Sequence, residues 1–236
     1  MKIQLLLPFI VGVETLEYLK GFVPPEIDIL GLKKGRISET RADLAFTLSE
    51  ELEAITKAEK DGYDAVVIGD AGDTNAELAR EIVKIPVLSC FQATLHLGSV
   101  LGNRLCILVP SGRYGIRMQR QNAKHYGFEN VSFRAITFNV QQSLLQADQY
   151  KKTGKINEAI ELLTNEAIHA IEDNDADVLA LGCNGLAWAV PPVKTELSRR
   201  GYDIPFIIPI TAAIEVAKAL VNLKLTHSNL FYPQFE

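Results

Sequence analysis

Short aliphatic runs alternate with longer amphipathic stretches along this chain. The runs consist mainly of Leu, Ile and Val, the composition of strands that are buried on both faces of a parallel sheet. They predict strands at 3–7, 65–68, 87–88, 105–109, 131–136, 178–181 and 206–208. In the stretches between them, apolar residues recur every three or four positions, which predicts helices. These helices are expected at 44–60, 76–83, 93–101, 115–126, 157–172, 192–200 and 212–223.

Segments rich in glycine, proline or lysine separate the predicted elements. Loops are expected at 24–25, 31–35, 111–112 and 151–154. The regular alternation of strand and helix favours an α/β fold with mainly parallel sheets. The first thirteen residues are similar to a signal peptide, but they contain a single Lys and no small-residue cleavage site. We therefore interpret them as the first strand.

One segment of the chain occurs twice. Residues 64–72 read DAVVIGDAG and residues 177–185 read DVLALGCNG, so Asp70 aligns with Cys183. Each copy is an apolar run that ends in Gly and is followed by a reactive side chain. Such a run is typical of a buried parallel strand that ends at the carboxyl edge of its sheet, where α/β proteins bind ligands.

The repeat extends to neighbouring segments in the same order. IPV at 85–87 recurs as IPF at 204–206, and KIQLLLPF at 2–9 is similar to RLCILVPS at 104–111. Repetition of three segments indicates a duplicated architecture. The alternative is that the βα units of one flavodoxin-like domain are similar to one another.

We predict two pseudo-symmetric flavodoxin-like lobes with parallel sheets and a cleft between them. The N-terminal lobe is expected to contain residues 1–100 and 206–236, and the C-terminal lobe residues 101–205. In this arrangement Asp70 and Cys183 lie on opposite walls of the cleft.

Size and charge limit the classes of partner. The chain has 236 residues, of which 47% are apolar, enough for a sizeable core. Its formal net charge is −5 and its basic residues do not cluster, so no nucleic-acid partner is expected. No apolar run approaches the roughly 20 residues that cross a bilayer, so no membrane partner is expected either.

The three cysteines differ in their sequence surroundings. Their odd number and unpaired spacing argue against disulfides and favour a reduced cytoplasmic setting. Cys106 lies inside the apolar run LCILV, and Cys90 follows a predicted strand, so both are expected to be structural. Cys183 lies in the turn GCNG, which is expected to expose its side chain and to direct backbone N–H groups outward.

Fingerprints of nucleotide and metal sites are missing from the sequence. The first strand is not followed by GxGxxG, and there is no GxxxxGK[ST] segment. Four histidines are scattered without an i, i+4 partner: His96, His125, His169 and His227. We therefore predict that the protein uses no metal and no cofactor.

Four segments carry a resemblance to a known family. They are GRISETRAD at 35–43, DGYDAVVIGDAGD at 61–73, GCNGL at 182–186 and IPFIIPITAAIEVAKAL at 204–220. Over nearly its whole length the chain resembles the aspartate/glutamate/hydantoin racemase superfamily, and most of all the hydantoin and allantoin racemase branch. The resemblance implies two pseudo-symmetric lobes and cofactor-independent chemistry at a carbon next to a carbonyl or carboxylate.

The resemblance also implies the catalytic residues. In members with two cysteines, one thiol on each face of the substrate removes or returns the α-proton through a carbanion. Cys183 matches the second-lobe cysteine, and Asp70 stands in the place of the first-lobe cysteine. A free Asp titrates about 4.6 pH units below a free Cys, so Asp70 needs burial to become a comparable base. Elsewhere in the superfamily, replacement of the first cysteine accompanies decarboxylation.

Anion binding is expected from two turns. The backbone amides of Ala71 and Gly72, and those of Asn184 and Gly185, follow the two copies of the repeated strand. Each pair is expected to open a helix, where N–H groups and the helix dipole favour a carboxylate or an enolate oxygen.

Further substrate contacts are expected at the ends of the other repeated strand. Ser111 and Tyr114 lie where the resemblance implies hydroxyl ligands. Pro8 and Phe9 stand in place of a polar turn of the hydantoin branch and predict a more apolar contact. For Ser111, Tyr114 and Phe9, ordinary loop packing is the alternative.

Three functions are compatible with these residues. The first is a cofactor-independent racemase of hydantoin or amino-acid type, with Cys183 and Asp70 on opposite faces of the substrate carbon. The second is a decarboxylase or carbon–carbon lyase that uses Cys183 alone, and the third is a non-catalytic small-molecule binder. The substrate is expected to be anionic or a cyclic amide. We also expect a homo-oligomer, with the aromatic tail 231–235 docked on a partner subunit or on its own lobe.

Overall fold

A computed structural model of the chain describes residues 1–35, 41–73, 75–110, 112–137 and 140–234. The strands are β1 (Ile3–Leu7), β2 (Asp28–Gly31), β3 (Ala65–Ile68), β4 (Val87–Ser89), β5 (Leu105–Val109), β6 (Ser132–Ala135), β7 (Val178–Leu181) and β8 (Phe206–Ile207). The helices are α1 (Val13–Leu19), α2 (Arg41–Lys60), α3 (Ala76–Arg80), α4 (Cys90–Leu101), α5 (Gly112–His125), α6 (Val140–Thr153), α7 (Glu158–Asn174), α8 (Val190–Arg199) and α9 (Pro209–Leu223). A 3₁₀ helix spans Asn184–Ala189.

The chain divides into two compact units. Unit 1 contains Met1–Ala93 and Ile210–Glu236, and unit 2 contains Thr94–Pro209. Each unit has one four-stranded sheet in which all strand pairs are parallel. This confirms the predicted α/β class with parallel sheets.

The sheet of unit 1 has the order β2-β1-β3-β4. Every residue of β1 and β3 is buried because these central strands have helices packed on them. Helix α2 packs against β1, β3 and α3, and its residues Ile55 and Ala58 join the aliphatic side chains of the sheet in one apolar core. Burial of aliphatic side chains is the main contribution to the stability of such a core.

The sheet of unit 2 has the order β6-β5-β7-β8. Its central strands β5 and β7 are buried along their whole length. Helix α7 packs against β5, β6 and α8. It begins where the Asn157 side chain accepts a hydrogen bond from Ile160 N at 3.3 Å, and it ends at Asp175, which has a left-handed backbone with φ of 51°.

The two sheets confirm the internal repeat strand by strand, since β5–β8 follow the same order in unit 2 as β1–β4 in unit 1. The paired acids of the repeat have one shared role. Asp64 accepts a hydrogen bond from Lys2 N at 2.6 Å, and Asp177 accepts one from Arg104 N at 2.8 Å. Each carboxylate thus joins the start of the third strand of its unit to the start of the first.

Three elements are missing from the sequence-based prediction. Strand β2 has four residues, follows two prolines and is half exposed. Because it contains no long aliphatic run, the sequence does not predict it. Helix α1 begins at Val13, the last residue of the segment that is similar to a signal peptide. Helix α6 has few apolar residues and ends at Thr153, so the loop predicted at 151–154 is wrong for its first three residues.

Candidate active site

The two repeated strands present their next residues in the same way. After β3, the N–H of Gly69 donates to Leu6 O at 2.8 Å; after β7, the N–H of Gly182 donates to Leu108 O at 2.7 Å. Each glycine therefore extends the pairing of its strand by one hydrogen bond. The residue that follows, Asp70 in unit 1 and Cys183 in unit 2, occupies the same position at the carboxyl edge of its own sheet.

Close packing explains why glycine precedes each reactive residue. A Cβ atom on Gly69 would lie 2.5 Å from Leu7 Cδ2, which is shorter than any real contact. A Cβ atom on Gly182 would lie 3.0 Å from Leu108 O and from Gln119 Oε1. The absence of a side chain thus lets each turn lie against the neighbouring strand.

Asp70 is held in a turn that leaves one of its oxygen atoms without a donor. Its Oδ1 accepts a hydrogen bond from Gly72 N at 2.9 Å. Its Oδ2 is buried and accepts no hydrogen bond from the described residues. Burial raises the pKa of Asp70 to about 6, the Gly72 hydrogen bond lowers it in part, and the negative charge of Asp73 raises it. A carboxyl group in this setting gains a proton far more readily than a free Asp.

A second buried carboxyl group lies in the same unit. Glu51 of α2 has no exposed surface, and its Oε2 accepts a hydrogen bond from Asn75 Nδ2 at 2.9 Å. Burial raises the pKa of Glu51 to about 7, against the effect of the Asn75 hydrogen bond and together with the charges of Asp70 and Asp73. Asp73 has a left-handed backbone with φ of 56°, which Asp tolerates better than most residues.

Cys183 lies in a different kind of turn. It is half-buried, its backbone is extended, and it is the residue that precedes the 3₁₀ helix Asn184–Ala189. The carbonyl of Gly182 accepts a hydrogen bond from the Gln119 side chain at 2.8 Å. Gln119 is itself buried on α5, so it fixes the peptide that leads into Cys183.

The other two cysteines are fully buried. Cys106 lies within β5, and Cys90 is the first residue of α4; each has a relative exposure of 0%. Burial raises the pKa of Cys106, which disfavours its thiolate. Of the three thiols, Cys183 is the one that is partly accessible.

Comparison with known proteins identifies the family. The family model described as Asp/Glu/Hydantoin racemase matches residues 31–217. The chain belongs to this racemase family. The resemblance found in the sequence is therefore confirmed, and the chain is an enzyme of the racemase type.

Several relatives of the family are similar to this racemase. A hydantoin racemase from Pseudomonas sp. (strain NS671) is 26% identical over 192 residues, which cover 81% of this chain and 72% of the relative. The solved structure of allantoin racemase from Klebsiella pneumoniae has a TM-score of 0.79 at 24% identity and covers 100% of this chain and 94% of the other. A structure of a double mutant of arylmalonate decarboxylase has a TM-score of 0.66 at 17% identity, covering 96% of this chain and 95% of the other. The last two likenesses concern the fold alone.

The two amide pairs predicted to bind anions lie in unlike turns. Asn184 and Gly185 begin the 3₁₀ helix, in agreement with the expected helix opening. Ala71 and Gly72 do not open a helix, because α3 begins only at Ala76. The N–H of Gly72 instead donates to Asp70, so in this racemase it supports a carboxylate of the protein itself.

The remaining predicted contacts follow the first strand of each unit. Pro8 is buried and Phe9 half-buried directly after β1. Tyr114 lies in the first turn of α5, and Ser111 falls outside the described residues, as does the side chain of Tyr114.

The sequence-based prediction does not single out three polar residues near the two turns: Glu51 of α2, Asn75 before α3 and Gln119 of α5. A signal existed for Glu51, because on the predicted helix it lies three residues after Leu48 and four before Ile55, on a face that carries apolar residues. A carboxyl group on the buried stripe of a helix indicates a special role. Asn75 and Gln119 carry no such signal in the sequence.

The described residues contain neither a metal-binding cluster nor a membrane-crossing helix. Within the ranges that the structure describes, no group of three or more His, Cys, Asp or Glu side chains is arranged to hold a metal ion. Nor does any helix in those ranges have the length and apolar character needed to cross a membrane.

Proposed function

We propose that this racemase moves a proton at a carbon next to a carbonyl group, with Asp70 and Cys183 as proton carriers on opposite faces of that carbon. The observation that carries the proposal is the equivalence of the two residues: each follows the glycine that extends the third strand of its unit. Racemisation needs one proton carrier on each face of the substrate carbon. Two reactive groups at matching positions of a duplicated fold can supply one carrier for each face.

The reaction balances with one proton on each side. The Asp70 carboxylate takes the α-proton, and the electron pair left on carbon delocalises into the carbonyl group as an enolate. The Cys183 thiol then donates its proton to the opposite face of the carbon. Asp70 ends protonated and Cys183 ends as a thiolate, which is the starting state for the reverse direction.

The environment of Asp70 supports its role as a base. Desolvation raises its pKa from 3.8 to about 6, roughly halfway to the value of about 8.5 that is ordinary for a thiol. General bases work best when their pKa lies near the working pH. A fully hydrated Asp, with a pKa of about 3.9, would be a weaker base than Asp70 in this setting.

The names of the relatives support a proposal for the substrate class. The similar proteins are named hydantoin racemase and allantoin racemase, and hydantoin and allantoin are both cyclic amides. In such a ring the acidic carbon lies next to an amide carbonyl, whose oxygen receives the charge of the enolate. We therefore propose a cyclic amide of this kind as the substrate.

The first prediction tests the two-sided mechanism by exchange of the α-hydrogen in D₂O. Each enantiomer of 5-substituted hydantoins is offered separately, and both exchange and optical rotation are followed. In the wild type both enantiomers should exchange, and optical activity should be lost. Asp70→Asn should lower the exchange rate of one enantiomer by about 10²-fold or more, as expected when one general base is removed. The exchange rate of the other enantiomer should change far less.

Controls separate this mechanism from the alternatives. Asp61→Asn changes an exposed carboxylate of the same unit and should leave both exchange rates unchanged. If Asp70→Asn racemises both enantiomers at the wild-type rate, the two-sided mechanism is wrong. Release of CO₂ from substituted malonates without exchange of hydantoins would favour the decarboxylase, and binding of hydantoins without exchange would favour the non-catalytic binder.

A further inference from the structure

The glycine that precedes Cys183 has a carbonyl group that the neighbouring strand cannot satisfy. The N–H of Gly182 donates to Leu108 O at 2.7 Å, which continues the pairing of β7 with β5. In a parallel ladder of this register, the next hydrogen bond runs to Gly182 O from the backbone N–H of residue 110. Residue 110 is a proline, which has no N–H. The ladder therefore ends at the carbonyl group of Gly182.

A side chain from α5 takes the place of the missing backbone donor. Gln119 Nε2 donates to Gly182 O at 2.8 Å. Both residues are buried, so water does not compete freely for this hydrogen bond. Removal of the donor would leave a buried carbonyl group without this partner, which is unfavourable. The Gln119 contact is therefore a requirement of the place where the ladder stops.

The same interruption of the ladder is present in unit 1. The N–H of Gly69 donates to Leu6 O at 2.8 Å, and the residue that would donate to Gly69 O in a continued ladder is Pro8. Both copies of the repeat thus end their ladder at the peptide that precedes the reactive residue. The interruption belongs to the duplicated architecture, and in unit 2 the replacement donor is Gln119.

The geometry of the peptide bond transmits this contact to Cys183. The described residues include no cis peptide bond, so the C=O of Gly182 and the N–H of Cys183 point in opposite directions on one rigid plane. A hydrogen bond that holds Gly182 O therefore also fixes the direction of that N–H and the position of the Cys183 Cα. Cys183 itself has an extended backbone, with φ of −157° and ψ of 131°, and the 3₁₀ helix begins at the next residue.

We propose that Gln119 is a positioning residue for Cys183, which orients the thiol toward the substrate carbon by holding the Gly182 carbonyl group in place of the backbone donor that Pro110 lacks. Gln119 acts through the Gly182–Cys183 peptide and takes no part in the proton transfer. Its role rests on the proposed function of Cys183. Loss of the Gln119 donor should therefore impair the proton transfer by Cys183 and spare the one by Asp70.

The first test is exchange of the α-hydrogen in D₂O, with each enantiomer of a 5-substituted hydantoin offered separately. Gln119→Met keeps the length of the side chain and removes the donor. It should lower exchange from the enantiomer that Asp70→Asn spares by about tenfold or more, through kcat rather than KM. Exchange from the other enantiomer should change far less. Gln121→Met is the matched control, because it changes an exposed glutamine of the same helix, and it should leave both rates unchanged.

A conservative variant provides a rescue. In Gln119→Glu, a neutral carboxyl group can donate its O–H to Gly182 O, whereas an ionised one repels that carbonyl oxygen. Burial raises the pKa of a carboxyl group at such a position. The ratio of the two exchange rates, compared with the wild type at the same pH, should thus be nearer to normal at about pH 5 than at about pH 8. A merely structural Gln119 would affect both enantiomers equally at every pH, which would overturn the proposal.

A measurement on the wild type without substrate tests the contact itself. The side-chain amide protons of Gln119, followed by NMR, should exchange with solvent far more slowly than those of exposed Gln121. Equal exchange of the two amides would overturn the proposal, even if neither variant of Gln119 folds. Since this readout involves no catalysis, a protected Gln119 amide together with normal turnover in Cys183→Ala would instead reject the proposed function of Cys183.

Discussion

In the proposed mechanism, the two proton carriers are residues with unlike side chains in like positions. Asp70 and Cys183 each follow a glycine at the end of a buried strand, yet one is a carboxyl group that needs desolvation and the other a thiol that needs access. Their surroundings differ accordingly, since Asp70 has a buried oxygen whereas Cys183 begins a 3₁₀ helix. If the two residues act as proposed, an asymmetric pair of this kind makes the two proton transfers kinetically distinguishable.

At this scale the second prediction concerns the thiol. Cys183→Ala should lower the rate of racemisation by about 10²-fold or more, because the group that protonates one face is lost. Folding should be intact, since Cys183 is only half-buried. The rate is measured by polarimetry and the fold by circular dichroism.

Cys90→Ala is the matched control for Cys183, as it changes a fully buried thiol. It should keep most of the activity, although removal of a buried atom lowers stability somewhat. Alkylation of the native wild-type protein should modify Cys183 first. Near-normal turnover in Cys183→Ala, or equal alkylation of all three thiols, would contradict the assignment.

The third prediction, also for single residues, is that Glu51 makes stability depend on pH. Its pKa in the folded protein, about 7, is raised above the ordinary 4.5, so its contribution is fully present below pH 4.5 and is lost as the pH rises through 7. Above pH 7, ionised Glu51 lowers the free energy of unfolding by an amount on the order of 3 kcal/mol. The free energy of unfolding, measured by urea denaturation, should therefore be higher for Glu51→Gln than for the wild type at pH 8. At pH 4.5 the variant should have no such advantage. A difference that does not change with pH would contradict this.

At the scale of elements, the sheets are predictable because their strands are buried on both faces. The aliphatic runs of β1, β3, β5 and β7 coincide with the observed strands to the residue. The repeat DAVVIGDAG and DVLALGCNG also predicts correctly that Asp70 and Cys183 hold matching positions, since parallel strands all end at the same edge of a sheet.

The elements and contacts that the sequence does not predict depend on tertiary structure. Strand β2 is stabilised by pairing with β1 rather than by its own composition, and α6 lacks an aliphatic stripe. The hydrogen bond of Glu51 to Asn75 joins positions 24 residues apart, so its partner follows only from the packing of α2 on the sheet. Local patterns thus predict the matching positions of Asp70 and Cys183 but not the side chains that surround them.

The fourth prediction concerns the turn between β3 and Asp70. Gly69→Ala should lower the stability of the protein by about 1–3 kcal/mol, because the new methyl group overlaps Leu7 Cδ2 and lies 3.1 Å from Leu5 Cδ1, so two buried leucine side chains must repack. Displacement of the turn should also reduce activity. Gly12→Ala is the control, since a Cβ there meets nothing within 4 Å. If Gly69→Ala and Gly12→Ala unfold at the same temperature, the turn accommodates the methyl group and the prediction is wrong.

At the scale of the whole molecule, the C-terminal tail completes unit 1. Strand β4 is at the edge of its sheet, where unpaired backbone groups invite other strands. His227 Nε2 accepts a hydrogen bond from Val87 N at 2.8 Å, and buried Arg80 donates to Val87 O at 3.1 Å and to Tyr232 Oη at 3.1 Å. The predicted tail docking thus occurs on its own unit, with Phe231 left 70% exposed.

This edge contact makes the tail sensitive to acid. Burial, followed by the nearby charge of Arg80, lowers the pKa of His227 from 6.5 to about 4. A proton on Nε2 would also remove the acceptor for Val87 N. Since the folded pKa is depressed, the contribution of His227 to stability is fully present above pH 6.5 and is lost as the pH falls toward 4.

The fifth prediction follows from this sign. The amide of Val87, observed by NMR, should lose its hydrogen bond to the tail as the pH falls from 6.5 toward 4, and the tail resonances should then approach those of an unstructured peptide. His227→Gln keeps an oxygen acceptor that does not titrate in this range, so its tail should stay bound at pH 4. His125→Gln, which changes a histidine of unit 2, is the control and should behave as the wild type. If His227→Gln releases its tail over the same pH range as the wild type, another group controls the contact, because the substitution leaves the Val87 amide and Arg80 unchanged.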